Sequence, residues 1–306
     1  MNGKERGAAL LMAMAIMAFA AVAAAAILVA LSTWARQAAL ATEHSQAKAL
    51  VSAGGDWARA VLSDDRKASG EVDHEREVWA LRLPPVSFEN GELAGRIVDQ
   101  QGLFNLNNLV RDGKLDIAQY RRFQRLLAIL GLPEQLAGAL ADWVDADDLP
   151  EPAGAAEEAS HRALGRSAMP ANRPLASVDE LALVRGFDAA ARARLAPFVT
   201  ALPSATALNV NTAPAEVLAA VVEGLDLPSA RALVARRSRG FYRNRADFLS
   251  QLGRGIEVAD NDIRVGSDYF LVSLRVTYGR TQARGQLLLA RTSASRWPDI
   301  VWRKYR

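Results

Sequence analysis

Between Asp142 and Glu158 the chain carries seven acids and no base: Asp142, Asp145, Asp147, Asp148, Glu151, Glu157 and Glu158. Clustered carboxylates repel one another, and two arrangements relieve the repulsion: an open solvated loop or a shared hard cation. Ca²⁺ takes about 6–8 oxygens, which carboxylates readily supply. The spacing is not that of an EF-hand, because the Gly and Glu of that loop do not align. Asp142, Asp145, Asp147, Asp148 and Glu157 are the candidate ligands, with Glu158 in reserve. The residues alone leave the loop and the cation site equally open. A hydrolytic carboxylate pair is a third reading, but it needs a cleft that raises one carboxyl, and no sequence feature provides it. Other material for chemistry is thin. With no Cys there is no thiol nucleophile, disulfide or Cys-ligated metal. The three His (His44, His74 and His161) are scattered, and a net charge of +3 over 306 residues gives no ground for nucleic-acid binding.

The elements that must position these acids begin with an apolar run. From Ala8 to Leu31 there is no charge or strong polar group. As a helix this run spans about 36 Å at ~1.5 Å per residue, enough to cross a bilayer. A cleaved secretory signal has a shorter apolar core, of ~7–15 residues. Lys4 and Arg6 precede the run, which favours a cytoplasmic N-terminus. The pair Arg6-Gly7 sits immediately before it.

Beyond the run, Ala47, Leu50, Val51, Gly54, Trp57 and Val61 recur at helical spacing, so the helix is expected to reach about Leu62, loosened at Gly54-Gly55. A charged loop from Ser63 to Glu77 is expected next, then a strand over Val78–Leu83 and a hairpin over Val86–Val98 about Asn90-Gly91. From Ile117 to Leu252 the pattern is mostly helical. Gly131 marks one helix end, Ser177–Glu180 forms a capping box, and Thr212 is the expected N-cap of a later helix. Strands return over Phe270–Tyr278, Gln282–Arg291 and Ile300–Tyr305. The simplest packing is an α+β fold: the terminal strands join the early hairpin in one antiparallel sheet, the long helix lies on it, and a large all-α domain is inserted.

Three segments and the leader carry a resemblance. They are Gly102–Leu109 (Gly-Leu-Phe-Asn-Leu-Asn-Asn-Leu), Ala141–Asp148 followed by Ala171–Leu181, and Leu208–Leu218 (Leu-Asn-Val-Asn-Thr-Ala-Pro-Ala-Glu-Val-Leu). Together they resemble the K-type minor pseudopilins of the bacterial type II secretion system. The likeness departs from the family pattern around Ser160-His161 and Ala168–Pro170. It implies a pilin-like fold divided as a leader (1–7), a transmembrane helix (8–31), a first pilin-like part (32–109), an inserted helical domain (110–266) and C-terminal strands (267–306).

The resemblance also implies a prepilin peptidase cut between Gly7 and Ala8, with methylation of the new N-terminus. It implies Ca²⁺ in the helical domain and no enzymatic activity. The expected place is the tip of a periplasmic pseudopilus, anchored in the inner membrane by a single pass. Partners would be the I-type and J-type minor pseudopilins, with the major pseudopilin below. Most pilin-like proteins have Glu at the fifth mature position. Met12 stands there instead, and K-type members typically lack that acid. The implied role is to initiate or cap the filament for protein export across the outer membrane.

One rival comes from another class. Asn209–Ala213, a helix, Gly224-Leu225-Asp226 and a second helix resemble helix-hairpin-helix DNA-binding repeats, and Arg231, Arg236, Arg237, Arg239, Arg243 and Arg245 make the stretch basic. That reading gives a membrane-anchored periplasmic DNA-binding or uptake protein. Asp226 counts against it, since it puts a charge and a Cβ where a phosphate should approach a backbone N–H.

Overall fold

The computed structural model describes residues 3–81, 84–145, 172–291 and 297–305, with side chains from Leu10 onward. Helix α1 runs unbroken from Gly3 to Ser69, about 100 Å at ~1.5 Å per residue. Its first half is bare: Leu10, Met12, Phe19, Ile27 and Leu31 are all more than half exposed. Its second half buries Ala47, Val51, Ala58 and Leu62 against a sheet. The charged loop expected from Ser63 therefore starts only after Ser69. Gly54 and Gly55 do not loosen the helix. They let it lie close on the sheet, since a Cβ on Gly55 would sit 2.8 Å from Leu287 and one on Gly54 3.2 Å from Leu274.

The strands are β1 (Val86–Phe88), β2 (Gly91–Asp99), β3 (Phe104–Asn105), β4 (Val110–Arg111), β5 (Lys114–Leu115), β6 (Val199–Thr200), β7 (Leu208–Asn209), β8 (Ile263–Arg264), β9 (Tyr269–Tyr278), β10 (Thr281–Ala290) and β11 (Asp299–Tyr305). Five of them form an antiparallel sheet in the order β1-β2-β9-β10-β11. The expected hairpin is present, but it turns at Glu89-Asn90, one residue earlier than expected, because Phe88 pairs with Gly91 and Gly91 opens β2. The strand expected over Val78–Leu83 is instead a 3₁₀ turn over Val78–Ala80. Trp79 is buried there and its Nε1 donates to Glu77 Oε2 at 2.7 Å, a local bond that displaces an extended backbone.

Between β2 and β9 the chain builds a second, helical core. Helices α2 (Ile117–Ile129) and α3 (Gln135–Val144) pack with α4 (Ala189–Leu195), α5 (Ala215–Val221), α6 (Leu227–Arg237) and α7 (Arg245–Leu249) around Phe123, Leu126, Leu140, Leu181, Leu218 and Phe248. Gly131 ends α2 with φ +62°. The expected capping box does not close: Ser177 Oγ accepts from the Asp179 N–H, one residue short of Glu180, and the Glu180 carboxylate accepts from the Ala176 N–H at 3.0 Å, opening a 3₁₀ turn over Val178–Ala182. Thr212 does not cap α5. Pro214 holds that position, and the Thr212 hydroxyl is drawn away to Asp99. A small third cluster, Leu202, Tyr269, Leu288 and Ala290, joins the helical block to the sheet face opposite α1.

The two ends of the sheet differ. The β9–β10 turn lies beside Glu43, whose carboxylate accepts from the Arg280 N–H at 3.0 Å. At the opposite end, Asp99 and Tyr269 lead out to the helical block. The inserted block therefore hangs from the end of the sheet farthest from the bare half of α1.

Candidate functional site

Of the acids proposed to hold a cation, Asp142 and Asp145 lie at the C-terminal end of α3 and are buried to 1% and 2% exposure. Asp147, Asp148, Glu157 and the reserve ligand Glu158 lie outside the described residues. Burying carboxylates at a helix C-terminus is unfavourable twice over: the macrodipole is negative there, and a desolvated anion needs positive charge or N–H donors. The chain returns to the same spot, with the Asn172 N–H bonded to the Trp143 carbonyl at 3.1 Å. Asn172 is thus brought together with Asp145, one of the two buried acids. Their hard oxygen donors fit Ca²⁺ chemically, and a full shell would draw on Asp147, Asp148 and Glu157. Gly7 and Ala8 lie near the start of α1, within the helix that carries the bare apolar surface.

A second polar centre escapes sequence reading. Where the helical block meets the sheet, Asp65, Asp73, Glu77 and Asp99 converge, all under 10% exposed. Arg291 is buried among them. It donates to Asp65 at 2.9 Å, to Asp73, to the Leu62 carbonyl at 3.2 Å and to the Ser267 carbonyl at 3.1 Å, and its guanidinium lies 4.7 Å from the centre of the Phe270 ring. Asp65, Asp73 and Glu77 are close enough to share a metal ion, the one such group among the described residues. Arg291 already supplies the positive charge at Asp65 and Asp73, so the cluster reads as an ion-pair centre and not as a metal site. Asp99 anchors the other side. Its Oδ2 accepts from Asn209 Nδ2 (3.0 Å), Ser267 Oγ (2.7 Å) and Thr212 Oγ1 (2.5 Å), and its Oδ1 from the Gln101 N–H (2.7 Å). Burial pushes the Asp99 carboxyl up to about 6 despite these bonds. Burial and then the charge of Glu77 push Asp65 up to about 6 as well. The C-terminal position of Arg291 and the plain context of Asp99 gave no local pattern that could have signalled this centre.

The asparagines of the two short motifs are fastenings. Asn107 Nδ2 donates to the carbonyls of Leu175 (2.9 Å) and Leu202 (2.8 Å), while its Oδ1 accepts from the Leu175 N–H. Asn211 ties the Tyr242 backbone in both directions, and Asn209 reaches Asp73, Asp99 and Ser267. Each satisfies buried backbone groups of loops that would otherwise be orphaned.

The geometry gives the DNA-binding reading little support. Asp226 caps α6 through the Ser229 N–H at 2.8 Å, so the hairpin's free N–H already faces a carboxylate. Arg237 points inward, donating to the carbonyls of Val210 and Ala213. Arg245 is committed to Asp260 at 3.0 Å. These three groups serve the fold, while Arg236 and Arg239 stay exposed beside Gly224, where the Asp226 carboxylate opposes an approaching phosphate.

A long helix, bare in one half and laid on an antiparallel sheet in the other, with a helical block inserted between two strands, defines a pilin-like α+β subunit whose helix can serve as a single-pass anchor. Residues 102–204 and 208–264 match the family described as Type II secretion system (T2SS), protein K. A type II secretion system protein K of Pseudomonas aeruginosa is 36% identical over 91% of this chain and 86% of its own. That of Klebsiella pneumoniae is 33% identical over the whole chain and 98% of its own. The chain belongs to the type II secretion system protein K family. Its fold superposes with a TM-score of 0.74 on a chain from the GspK–GspI–GspJ complex of enterotoxigenic Escherichia coli, at 24% identity over 87% of this chain and 97% of that one.

Proposed function

We propose that this protein is a non-enzymatic minor pseudopilin at the tip of the type II secretion pseudopilus, initiating or capping its assembly. The observation that carries the reading is the placement of the inserted block at the end of the sheet farthest from the bare half of α1. A subunit buried in a close-packed shaft would have to house that block between neighbours; at the tip it projects freely. In this reading Gly7 ends a prepilin leader, Ala8 becomes the methylated N-terminus, and α1 anchors the chain in the inner membrane with its head in the periplasm. The I-type and J-type minor pseudopilins pack beside it and the major pseudopilin lies below. The family relationship and the solved complex of a relative with its I and J partners support the I-type and J-type part of this set. The segment 142–158 binds Ca²⁺, supported by the buried pair Asp142 and Asp145.

Co-expression with candidate I-type and J-type subunits, followed by pull-down with and without chelator, tests the assignment. A stoichiometric complex is expected, and a chain that captures neither partner under either condition sinks it. The mature chain should begin at Ala8.

A further inference from the structure

The sheet face turned away from α1 carries a charge pattern that neither the fold nor the tip role uses. Strand register places Ala94, Arg275 and Arg284 in one row across β2, β9 and β10, and Arg96, Ser273, Gln286 and Lys304 in the next row. Arg275 and Arg284 are directly opposed. Like charges in that position destabilise a sheet, with Cβ atoms only ~5 Å apart. Arg96, Arg275 and Arg284 are exposed, and among the described residues none of the three makes an ion pair. Together with Lys304 they line a concavity of about 700 Å³ on this face. Two acids border it: Glu92, one row toward the β9–β10 turn, and Asp179, which meets Lys304 at 2.9 Å.

We propose that this concave basic face is a docking surface for an acidic segment of a protein partner that approaches from outside the α1 packing surface. A surface that keeps two unpaired arginines opposed gains from a ligand that neutralises them. The borders choose among anions. Glu92 and Asp179 would repel a polyanion running past the site in both directions, as a nucleic-acid backbone does, but leave room for a short run of carboxylates between neutral residues. No aromatic side chain among the lining residues offers a base a stacking platform. The bilayer is out of range. From Leu31 to Glu43 the helix rises ~18 Å, and from the β9–β10 turn the opposed arginines lie ~10 Å further along the strands. Both distances exceed a Debye length of ~8 Å at physiological salt. This last step rests on the anchored placement of α1; the charge pattern does not.

The test titrates the full-length protein, in non-ionic detergent, into a fluorescein-labelled peptide of alternating Glu and Ala and into its Gln counterpart. The Glu peptide is expected to bind, more weakly as salt rises from ~50 to ~150 mM, and the Gln peptide not to bind. The double variant Arg275→Glu/Arg284→Glu should lower affinity at least ~10-fold. The single variant Arg275→Glu turns opposed like charges into a pair, so its melting midpoint should hold or rise while binding weakens, which separates lost binding from lost folding. Absence of Glu-peptide binding at either salt, or equal binding by the double variant, overturns the proposal. So does a duplex oligonucleotide or the soluble headgroup glycerophosphoglycerol binding more tightly than the peptide at ~150 mM salt and being lost in the same variants. Pull-down with minor pseudopilins reads partner capture and the titration reads peptide affinity, so failure of the proposed function and failure of this proposal are distinguishable.

Discussion

At the scale of single residues, the buried junction sets how stability depends on pH. An Asp in the unfolded chain titrates near ~3.9, whereas Asp99 and Asp65 are pushed up to about 6 in the fold. Between these values the folded state holds protons that the unfolded state has released. The stability these acids contribute is therefore greatest near pH 4 and is lost as pH rises through 6. One differential proton is worth ~1.4 kcal/mol per pH unit. Asp99→Asn removes one such group and puts an amide N–H against either the Gln101 N–H or the donors from Asn209, Ser267 and Thr212. Denaturant unfolding across pH 4–7 should show the variant less stable, with a flatter slope in this window. An unchanged slope would mean Asp99 does not titrate there.

At the scale of elements, helix α1 and the sheet meet through glycines on both sides, and the two sides should respond differently. A Cβ on Gly285 would stand 2.3 Å from Val51 Cγ1, on a stiff β-branched side chain. Gly285→Val should cost ~1–3 kcal/mol or more. Gly54→Ala meets only the tips of Leu274 and Leu93 at 3.2–3.4 Å, and in a helix interior Ala gains ~1 kcal/mol over Gly. It should be near neutral in the same melts.

The acidic element has its own test. A cation that binds only the folded state adds ~2.7 kcal/mol at about 100 times its dissociation constant. Melting should therefore shift upward on adding calcium and fall back with chelator, and an unmoved midpoint with no calorimetric heat would leave a solvated loop. Much of this level was legible in sequence. Alternation exposed β9, the turn at Gly279 implied β10 running back, and Asn90-Gly91 marked the hairpin to within one residue of its turn. The 3₁₀ turn at Trp79 and the transfer of Thr212 from α5 to Asp99 were not, because each depends on a partner fixed by tertiary contact. The same holds for the junction, where Arg291 meets acids more than two hundred positions earlier in the chain.

At the scale of the whole molecule, Met12 and the inserted block make one argument. Met12 is 68% exposed on the bare half of α1 and offers no carboxylate to an amine above it. In the proposed anchored placement, Met12→Glu would put an acid in the apolar half of α1 at a cost of up to roughly 2.5–3.5 kcal/mol. In a tip subunit the change should impair incorporation or leave it unchanged. Labelled variant protein that enters filaments along their length in greater amounts would place the subunit in the shaft.

The insertion also dictates an order of events during folding. Asp99 and Phe270 are neighbours across the sheet, yet the entire helical block separates them along the chain. Closing so long a loop through an unstructured chain costs on the order of 4–5 kcal/mol of entropy. If the block forms first, Gln101 and Asp268 are already held together, the side-chain carbonyl of the one accepting from the N–H of the other at 2.6 Å. The loop then shrinks to almost nothing, and β2 can zip onto β9 as though they were a simple hairpin. Damage to the helical block would thus reach the sheet as slow assembly: α1 would wait longer without its cover, and the distant half of the molecule would carry the defect.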